Sequence, residues 1–351
     1  MKKYLISGLI AVFLTFTAAI PAIAQENHNG QAEEEFNASE FIIEHVTDSH
    51  EWHLLTKKNG EDVALYLPVI LINKGKVDVF SSKRLEHGSV YKGYKLMEEG
   101  DYAGKIVCVD GSGTVIGKPL DLSMTKVVIG MLFAAIVGVI MFISFARKYK
   151  KTGTGEPKGF FQGALELIVL FVRDEIVRPN LPEDKYEKFL PYLLSVFFFI
   201  LLNNIFGLIP VPPPFGANVT GNIALTFVLA ILTFIITQFS GNKEYWKDIF
   251  WTPGLPLWLR PIMIPVEMIG MFTKPFALMV RLFANITAGH IIVMSLICLI
   301  FILKSLVIAP VSVVFVLFMD CVELLVAFLQ AYIFTLLSSL FIGMAMPEEH
   351  H

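Results

Sequence analysis

Long apolar segments alternate with one stretch of mixed polarity along this chain. Val127–Ala146 has no charged residue and is long enough to cross the ~30 Å hydrocarbon core of a membrane as a helix. Leu190–Asn242 contains no Asp, Glu, Lys or Arg, and a proline-rich break at Pro210–Gly216 divides it. This pattern predicts one membrane crossing followed by two more, with a turn outside the membrane between them.

The C-terminal part of the chain, residues 261–346, holds two apolar segments that meet near Lys304–Pro310. Each is longer than one crossing requires, so we expect both helices to be steeply tilted. Gly159–Arg178 is shorter and amphipathic, which favours a helix at the membrane interface. The predicted fold class is an all-α polytopic membrane protein with about five transmembrane helices.

The region before the first crossing has the mixed composition of a small soluble domain. Short runs such as Val63–Leu67 and Lys105–Val109 lie between turn-forming residues, which predicts a small β-containing head. Lys2 and Lys3 precede an apolar stretch that ends in Ala22-Ile23-Ala24, the small-x-small pattern of a cleaved secretory signal. We therefore expect a signal peptide at 1–24, an exported head at 25–125 and a membrane domain at 126–351.

Composition and charge agree with this division. The 351 residues have a mean hydropathy of +0.64 and are only 17% charged, which excludes an ordinary soluble protein. Residues 25–125 carry 10 basic and 17 acidic groups, and the net charge of -3 excludes a nucleic-acid partner. The basic cluster Arg147–Lys151 marks its end of the first crossing as cytoplasmic, so the head lies outside and the C-terminus inside.

Ionisable residues within the last two apolar segments are candidates for function, because a charge at membrane depth costs at least a few kcal/mol. Three of them recur every seven residues and share one helix face, and a second polar set shares a face of the last helix. The first set is Glu267, Lys274 and Arg281, followed by Asn285; the second is Asp320, Glu323 and Gln330.

An antiparallel pairing of the two helices about Val307 predicts which polar residues meet. His290 comes level with Glu323, and Arg281 comes level with the region of Gln330. Histidine and glutamate can exchange a proton near neutral pH. Small residues near Arg281 leave space for another helix to approach it; they are Ala284, Ala288 and Gly289.

The run Arg281-Leu282-Phe283-Ala284-Asn285-Ile286-Thr287-Ala288-Gly289-His290 resembles the pattern R-L-F-x-N-x-x-A-G-[EH] of subunit a of the F-type ATP synthase. Asn204–Pro210, Thr273-Lys274-Pro275 and Leu329–Phe334 match the same family, and the resemblance covers about residues 125–351. The expected protein is a bacterial form with an additional N-terminal exported domain, to which nothing in a minimal family member corresponds.

The resemblance implies a stator subunit that forms two proton half-channels against a rotating ring of c subunits, without catalytic residues or cofactors of its own. Arg281 matches the arginine that faces the ring carboxylates, with Gln330 and Asn285 near it. His290 and Glu323 match the titratable pair of the periplasmic channel, and Glu267 matches an acid on the cytoplasmic side. Asp320 joins this proton-translocating set by its position beside Glu323. The implied partners are the c ring, the b-subunit peripheral stalk, other ATP synthase subunits and the lipid of a bacterial inner membrane.

The polar residues of this chain could serve three alternative functions. An intramembrane hydrolase would use the buried His and acids, but the chain has neither H-E-x-x-H nor G-x-S-x-G. A secondary ion transporter would show inverted repeats, which are not evident. In the head, His45, His50 and His53 could bind a divalent metal together with nearby acids, which are Glu44, Asp48 and Glu51. His50 and His53 are one helical turn apart, but a solvated polar helix, or a surface that collects protons near the channel mouth, explains the cluster more simply.

Overall fold

The computed structural model describes residues 38–56, 62–97, 100, 102–111, 113–152, 159–209, 213–251, 259–303 and 308–347. These residues form two compact units. The first contains the head, the start of the first long helix and the segments 206–219 and 294–313, and the second contains most of the helical part. The predicted signal peptide lies outside the described residues.

The described residues of the head form helix α1 (Ala38–Val46), eight short strands and a 3-10 helix, Ser82–Gly88, between the fourth and fifth strands. The strands are β1 (Glu51–Thr56), β2 (Asp62–Tyr66), β3 (Pro68–Asn73), β4 (Lys76–Ser81), β5 (Tyr94–Leu96), β6 (Ile106–Val109), β7 (Val115–Gly117) and β8 (Leu120–Asp121). They pair antiparallel in three small sheets, ordered β1-β2, β4-β3-β8 and β5-β6-β7. The predicted β-containing head is confirmed.

Strands β3 and β4 form a tight hairpin over the core of the head. Lys74 and Gly75 both have positive φ, at 48° and 81°. A two-residue hairpin turn needs such angles if its twist is to match that of the strands. The side chains under the hairpin are fully or almost fully buried; they are Val69, Leu71, Phe80, Leu85, Tyr94 and Ile106. Alternation along β3 therefore sends one face of this sheet into the core and leaves the other outside.

The described residues after the head form seven α-helices: α2 (Lys126–Thr152), α3 (Phe160–Phe171), α4 (Tyr186–Gly207), α5 (Ile223–Ser240), α6 (Lys243–Phe250), α7 (Arg260–Leu303) and α8 (Ile308–Met344). Five of them are long and apolar enough to cross a membrane: α2, α4, α5, α7 and α8. The predicted number of transmembrane helices is confirmed. Helices α7 and α8, with 44 and 37 residues, have lengths of about 66 and 56 Å.

The second unit has one continuous apolar core built from most of its helices. A π-helical segment, Val172–Val177, extends α3, and its residues Val172, Ile176 and Val177 are fully buried in this core. The sequence predicted a single amphipathic helix over Gly159–Arg178. The structure instead has two helical types there, and the inner face packs against the bundle.

Polar side chains inside the transmembrane helices bond mainly to their own backbone. Thr233 and Thr237 on α5 donate to the carbonyl oxygens four residues earlier, at 3.2 and 2.8 Å. Asn222 caps the start of α5 by accepting from the Ala224 amide at 2.9 Å. A low-dielectric surrounding makes unpaired polar groups costly, so these bonds keep an otherwise apolar helix compatible with the membrane.

Candidate functional site

Helices α7 and α8 approach each other closely at Gly289. A Cβ atom built on this glycine would lie 2.8 Å from Oε1 of Glu323 and 3.2 Å from its Cδ. Only the absence of a side chain at position 289 lets the carboxyl group lie there. The antiparallel register predicted from sequence placed Glu323 level with His290, and the structure places it against the neighbouring residue.

Glu323 is buried, with 8% of its surface exposed, and its Oε1 atom has no hydrogen-bond partner among the described residues. His290 is half-buried, and neither of its ring nitrogens is hydrogen-bonded to Glu323 in the described part of the two helices. Asp320 lies one helical turn before Glu323 on α8 and is also half-buried. Two carboxyl groups and an imidazole are thus placed in one region without internal partners that would saturate them.

Arg281, unlike the buried Glu323, is exposed on the surface of α7. Ala284, Asn285 and Ala288 are exposed as well and follow it at helical spacing, so they form one face with Arg281. We call these four residues the arginine face. Ala284 and Ala288 leave space beside the guanidinium, as predicted. Gly289 does not, since it serves to accommodate Glu323.

No carboxylate oxygen lies within 4.0 Å of Arg281 anywhere in the part of the chain that the structure describes. Among the described residues the guanidinium thus has no counter-ion, although it lies on a membrane-spanning helix. Arginine keeps its proton under all ordinary conditions, so it cannot avoid the cost of a charge by becoming neutral.

The remaining predicted site residues divide between the two helices. Gln330 on α8 is buried, with 4% exposed, and it makes no hydrogen bond to Arg281 in the described structure. Glu267 and Lys274 are half-buried on α7, and Lys274 Nζ lies 5.6 Å from the ring centre of Phe341. Helix α7 is continuous over Arg260–Leu303, so the predicted seven-residue spacing does place these charges along one helix.

One buried connection near this region did not follow from the sequence. Asn204 on α4 donates from Nδ2 to the carbonyl oxygen of Ala327 on α8 at 3.1 Å, and Thr220 donates to its Oδ1 at 2.5 Å. Ala327 lies between Glu323 and Gln330 on α8. Two adjacent asparagines in a charge-free apolar run were the available signal, although their partner could not be deduced from spacing.

His50 and His53 do not lie one turn apart on a helix, as their spacing in the sequence suggested. His50 precedes β1 and His53 lies within it, so the residues between them are extended and not helical. His50 is buried, with 8% exposed, and its Nε2 lies 3.1 Å from Oδ2 of Asp121. Among the described residues no three His, Cys, Asp or Glu side chains form a metal site. The side chains of His45 and His53 lie outside that description, so their grouping stays a prediction.

The contact between His50 and Asp121 affects the pKa of the Asp121 carboxyl group. Burial raises the pKa of the Asp121 carboxyl, but hydrogen bonds from His50 and Ser123 outweigh burial, so its pKa lies below the ordinary value. The Ser123 amide donates to Asp121 Oδ1 at 2.9 Å. The carboxylate is thus held ionised and links β8 to the segment before β1.

Two family comparisons divide the chain at the end of the head. Residues 128–343 match the family described as ATP synthase A chain, and residues 41–122 match a family described as a domain of unknown function. The first match covers every transmembrane helix and the arginine face.

Curated relatives named ATP synthase subunit a share this part of the sequence. The protein of Chloroherpeton thalassium is 48% identical over 235 residues, covering 66% of this chain and 69% of the relative. The protein of Chlorobium phaeobacteroides strain BS1 is 48% identical over 237 residues, covering 66% and 68%. The protein of Myxococcus xanthus is 44% identical over 237 residues, covering 66% and 76%. The chain therefore belongs to the ATP synthase A chain family.

Proposed function

We propose that this chain is the stator of a proton path, in which two half-channels are separated by Arg281 and closed by a ring of c subunits. The observation that carries the proposal is the arginine face: an exposed guanidinium on a membrane-spanning helix with no carboxylate within 4.0 Å in the described residues. A ring that presents one carboxyl group after another supplies the missing counter-ion. The small neighbours Ala284 and Ala288 permit its close approach.

The charge of Arg281 explains the direction of proton transfer. A fixed positive charge within a few ångströms favours the ionised form of a ring carboxyl and lowers its pKa, so the proton leaves as that carboxyl arrives. The same charge repels protons that would pass directly between the half-channels. Each proton must then travel on the ring, and a potential of 100 mV provides about 2.3 kcal/mol per charge moved.

In this proposal the other polar residues of α7 and α8 line the two half-channels. His290, Asp320 and Glu323 serve the periplasmic half-channel, where the unpartnered Oε1 of Glu323 can accept a proton. Glu267 serves the cytoplasmic half-channel. Asn285 and Gln330 orient or shield Arg281 without neutralising its charge, because an amide is uncharged.

The topology and partners are part of the same proposal. The chain would lose residues 1–24 on export, hold the head 25–125 in the periplasm and keep the C-terminus of the membrane domain 126–351 in the cytoplasm. Its partners would be the c ring, the b-subunit stalk and the remaining ATP synthase subunits of a bacterial inner membrane. Cysteines introduced at Ser89 and Glu349 should react with impermeant reagents from opposite sides, and labelling from one side would contradict this topology.

Replacement of Arg281 by lysine tests the role of the guanidinium. If Arg281 only packed against other helices, the variant would pump well, since the charge and most of the stem survive. We expect ATP-driven proton pumping in vesicles to fail, because an ammonium lacks the planar fork and can lose its proton when desolvated. Arg178→Gln, which removes an exposed cation outside the transmembrane helices, is the control and should pump normally. Normal pumping by Arg281→Lys would reject the proposal.

A further inference from the structure

The sheet β4-β3-β8 of the head has one face that nothing in the described structure covers. The strand register brings Ile72 level with Val77 and Leu120, and Ile70 level with Val79. The Leu122 amide donates to the Ile70 carbonyl at 2.9 Å, which continues the same register by one more pair. Residues that are level on neighbouring strands point to the same side of a sheet. This side, which we call the outward face, consists of Ile70, Ile72, Val77, Val79, Leu120 and Leu122.

The outward face is apolar throughout, although it is exposed. Val77 and Val79 are both 62% exposed, and Leu120 and Leu122 are 60% and 55% exposed. The residues that alternate with them fill the core of the head on the other side of the sheet. An antiparallel sheet with one buried face normally carries polar residues on its other face. A contiguous aliphatic surface in that position indicates an interaction site.

The chain continues directly from this face into the membrane. Leu122 stands four residues before α2, the first transmembrane helix. The connection is held by hydrogen bonds, because the Lys126 amide donates to the Ser49 carbonyl at 3.0 Å and the Val127 amide donates to Asp48 Oδ1 at 3.1 Å. The outward face is thus attached by a short, bonded link to a helix that enters the bilayer.

We propose that the outward face lies against the lipid bilayer, with its aliphatic side chains at the boundary between headgroups and acyl chains. A contiguous aliphatic surface this near to a membrane-spanning helix can bury its side chains at the boundary between headgroups and acyl chains. The site would anchor the head to the membrane beside α2. It belongs to the head alone and does not depend on the proton path proposed above.

The chemistry of the face favours lipid over a protein partner. The cores of protein interfaces are enriched in Tyr, Trp and Arg, whereas this face contains only Ile, Leu and Val. Aliphatic side chains of this kind gain free energy from contact with lipid acyl chains. Continuity with a membrane-spanning helix that starts four residues after Leu122 places such chains within reach of the face.

An environment-sensitive probe tests the proposal in the full chain. Cys108, Cys298 and Cys321 are replaced by alanine, and one new cysteine at Val79 or Leu120 carries a nitrobenzoxadiazole group. A cysteine at exposed Ser89, away from the outward face, is the matched control. The labelled chains are reconstituted in nanodiscs of phosphatidylcholine and phosphatidylglycerol, with and without spin-labelled lipid, and the measurement is repeated on the assembled ATP synthase complex.

We expect the emission of probes at Val79 and Leu120 to shift to shorter wavelength and to lose most of its intensity when spin-labelled lipid is present. The probe at Ser89 should do neither. Quenching at Val79 and Leu120 no greater than at Ser89 would overturn the proposal. A shift that appears only in the assembled complex, without quenching by lipid, would also overturn it, since a neighbouring subunit would then cover the face. Using two probe positions keeps the test valid if one variant does not fold.

Discussion

Replacement of Gly289 by alanine should disturb proton transfer without disturbing the fold. The new Cβ would stand 2.8 Å from Oε1 of Glu323. Ordinary contact lies near 3.5 Å, so the carboxyl group must move away by about 0.7 Å. A misplacement of about 1 Å in a reacting group can lower a rate about 100-fold, and we expect a decrease of about tenfold in ATP-driven proton pumping.

Helix α7 offers a matched control for this change in Gly270, because a Cβ built there would have no neighbour within 4 Å. Alanine for glycine in a helix otherwise gains about 0.5–1 kcal/mol of stability, so Gly270→Ala should pump like the parent chain. Both variants should assemble in equal amounts.

The double variant Gly289→Ala with Glu323→Asp provides a second check. Aspartate withdraws the carboxyl group by one methylene and makes room for the new Cβ, so the two changes together should impair pumping less than the product of the single effects. Pumping by Gly289→Ala at the rate of Gly270→Ala would refute the reasoning, since it would mean that the position of Glu323 does not matter.

Two further outcomes follow from buried contacts. Asn204→Ala removes the bond to Ala327 on α8, should destabilise the membrane part by about 1–3 kcal/mol, and should lower the yield of assembled chain in detergent. Burial raises the pKa of Asp121, but hydrogen bonds outweigh burial and lower it, so its contribution is present above its unfolded pKa and is lost as pH falls through the folded value. Urea unfolding followed by Trp52 fluorescence should therefore show a weaker acid dependence in Asp121→Asn than in the exposed control Asp110→Asn, with the other tryptophans replaced by phenylalanine.

Most helices of the membrane part could be predicted from the sequence, because each is encoded by a long, continuous apolar segment. Apolar runs of membrane-spanning length predicted all five transmembrane helices, and the break near Lys304 separated α7 from α8. The same pattern placed Glu323 of α8 level with His290, one residue from Gly289, its observed neighbour on α7. Over segments of this length, helix periodicity leaves few alternatives.

Other features depended on contacts that spacing does not reveal. The hydrogen bond from Asn204 to Ala327 joins residues more than a hundred positions apart in the sequence. His50 and His53 share a helical spacing, but strand β1 and the bond from His50 to Asp121 place them in extended backbone. In the head, the strands are short and are stabilised by pairing with strands that are distant in the sequence. The local pattern therefore predicts that a segment is a strand better than it predicts which strand it pairs with.

As a member of the ATP synthase A chain family, the chain is a membrane subunit of the synthase. The head lies outside the part that matches this family, and its sequence matches a separate family at residues 41–122. If the outward face rests on lipid, the head would hold α2 at a fixed depth in the membrane. This gives a reason for a small, structured domain to precede the first helix.

The measurement that tests the role of Arg281 most directly is passive proton leak through Arg281→Ala after the catalytic sector has been stripped from membrane vesicles. Loss of the fixed charge removes the barrier between the two half-channels, so an imposed pH gradient should collapse faster than in vesicles with the parent chain, and coupled pumping by the intact complex should be abolished. A gradient that decays no faster than in parent vesicles, together with normal coupled pumping by the intact Arg281→Ala complex, would contradict the proposed separation of the half-channels.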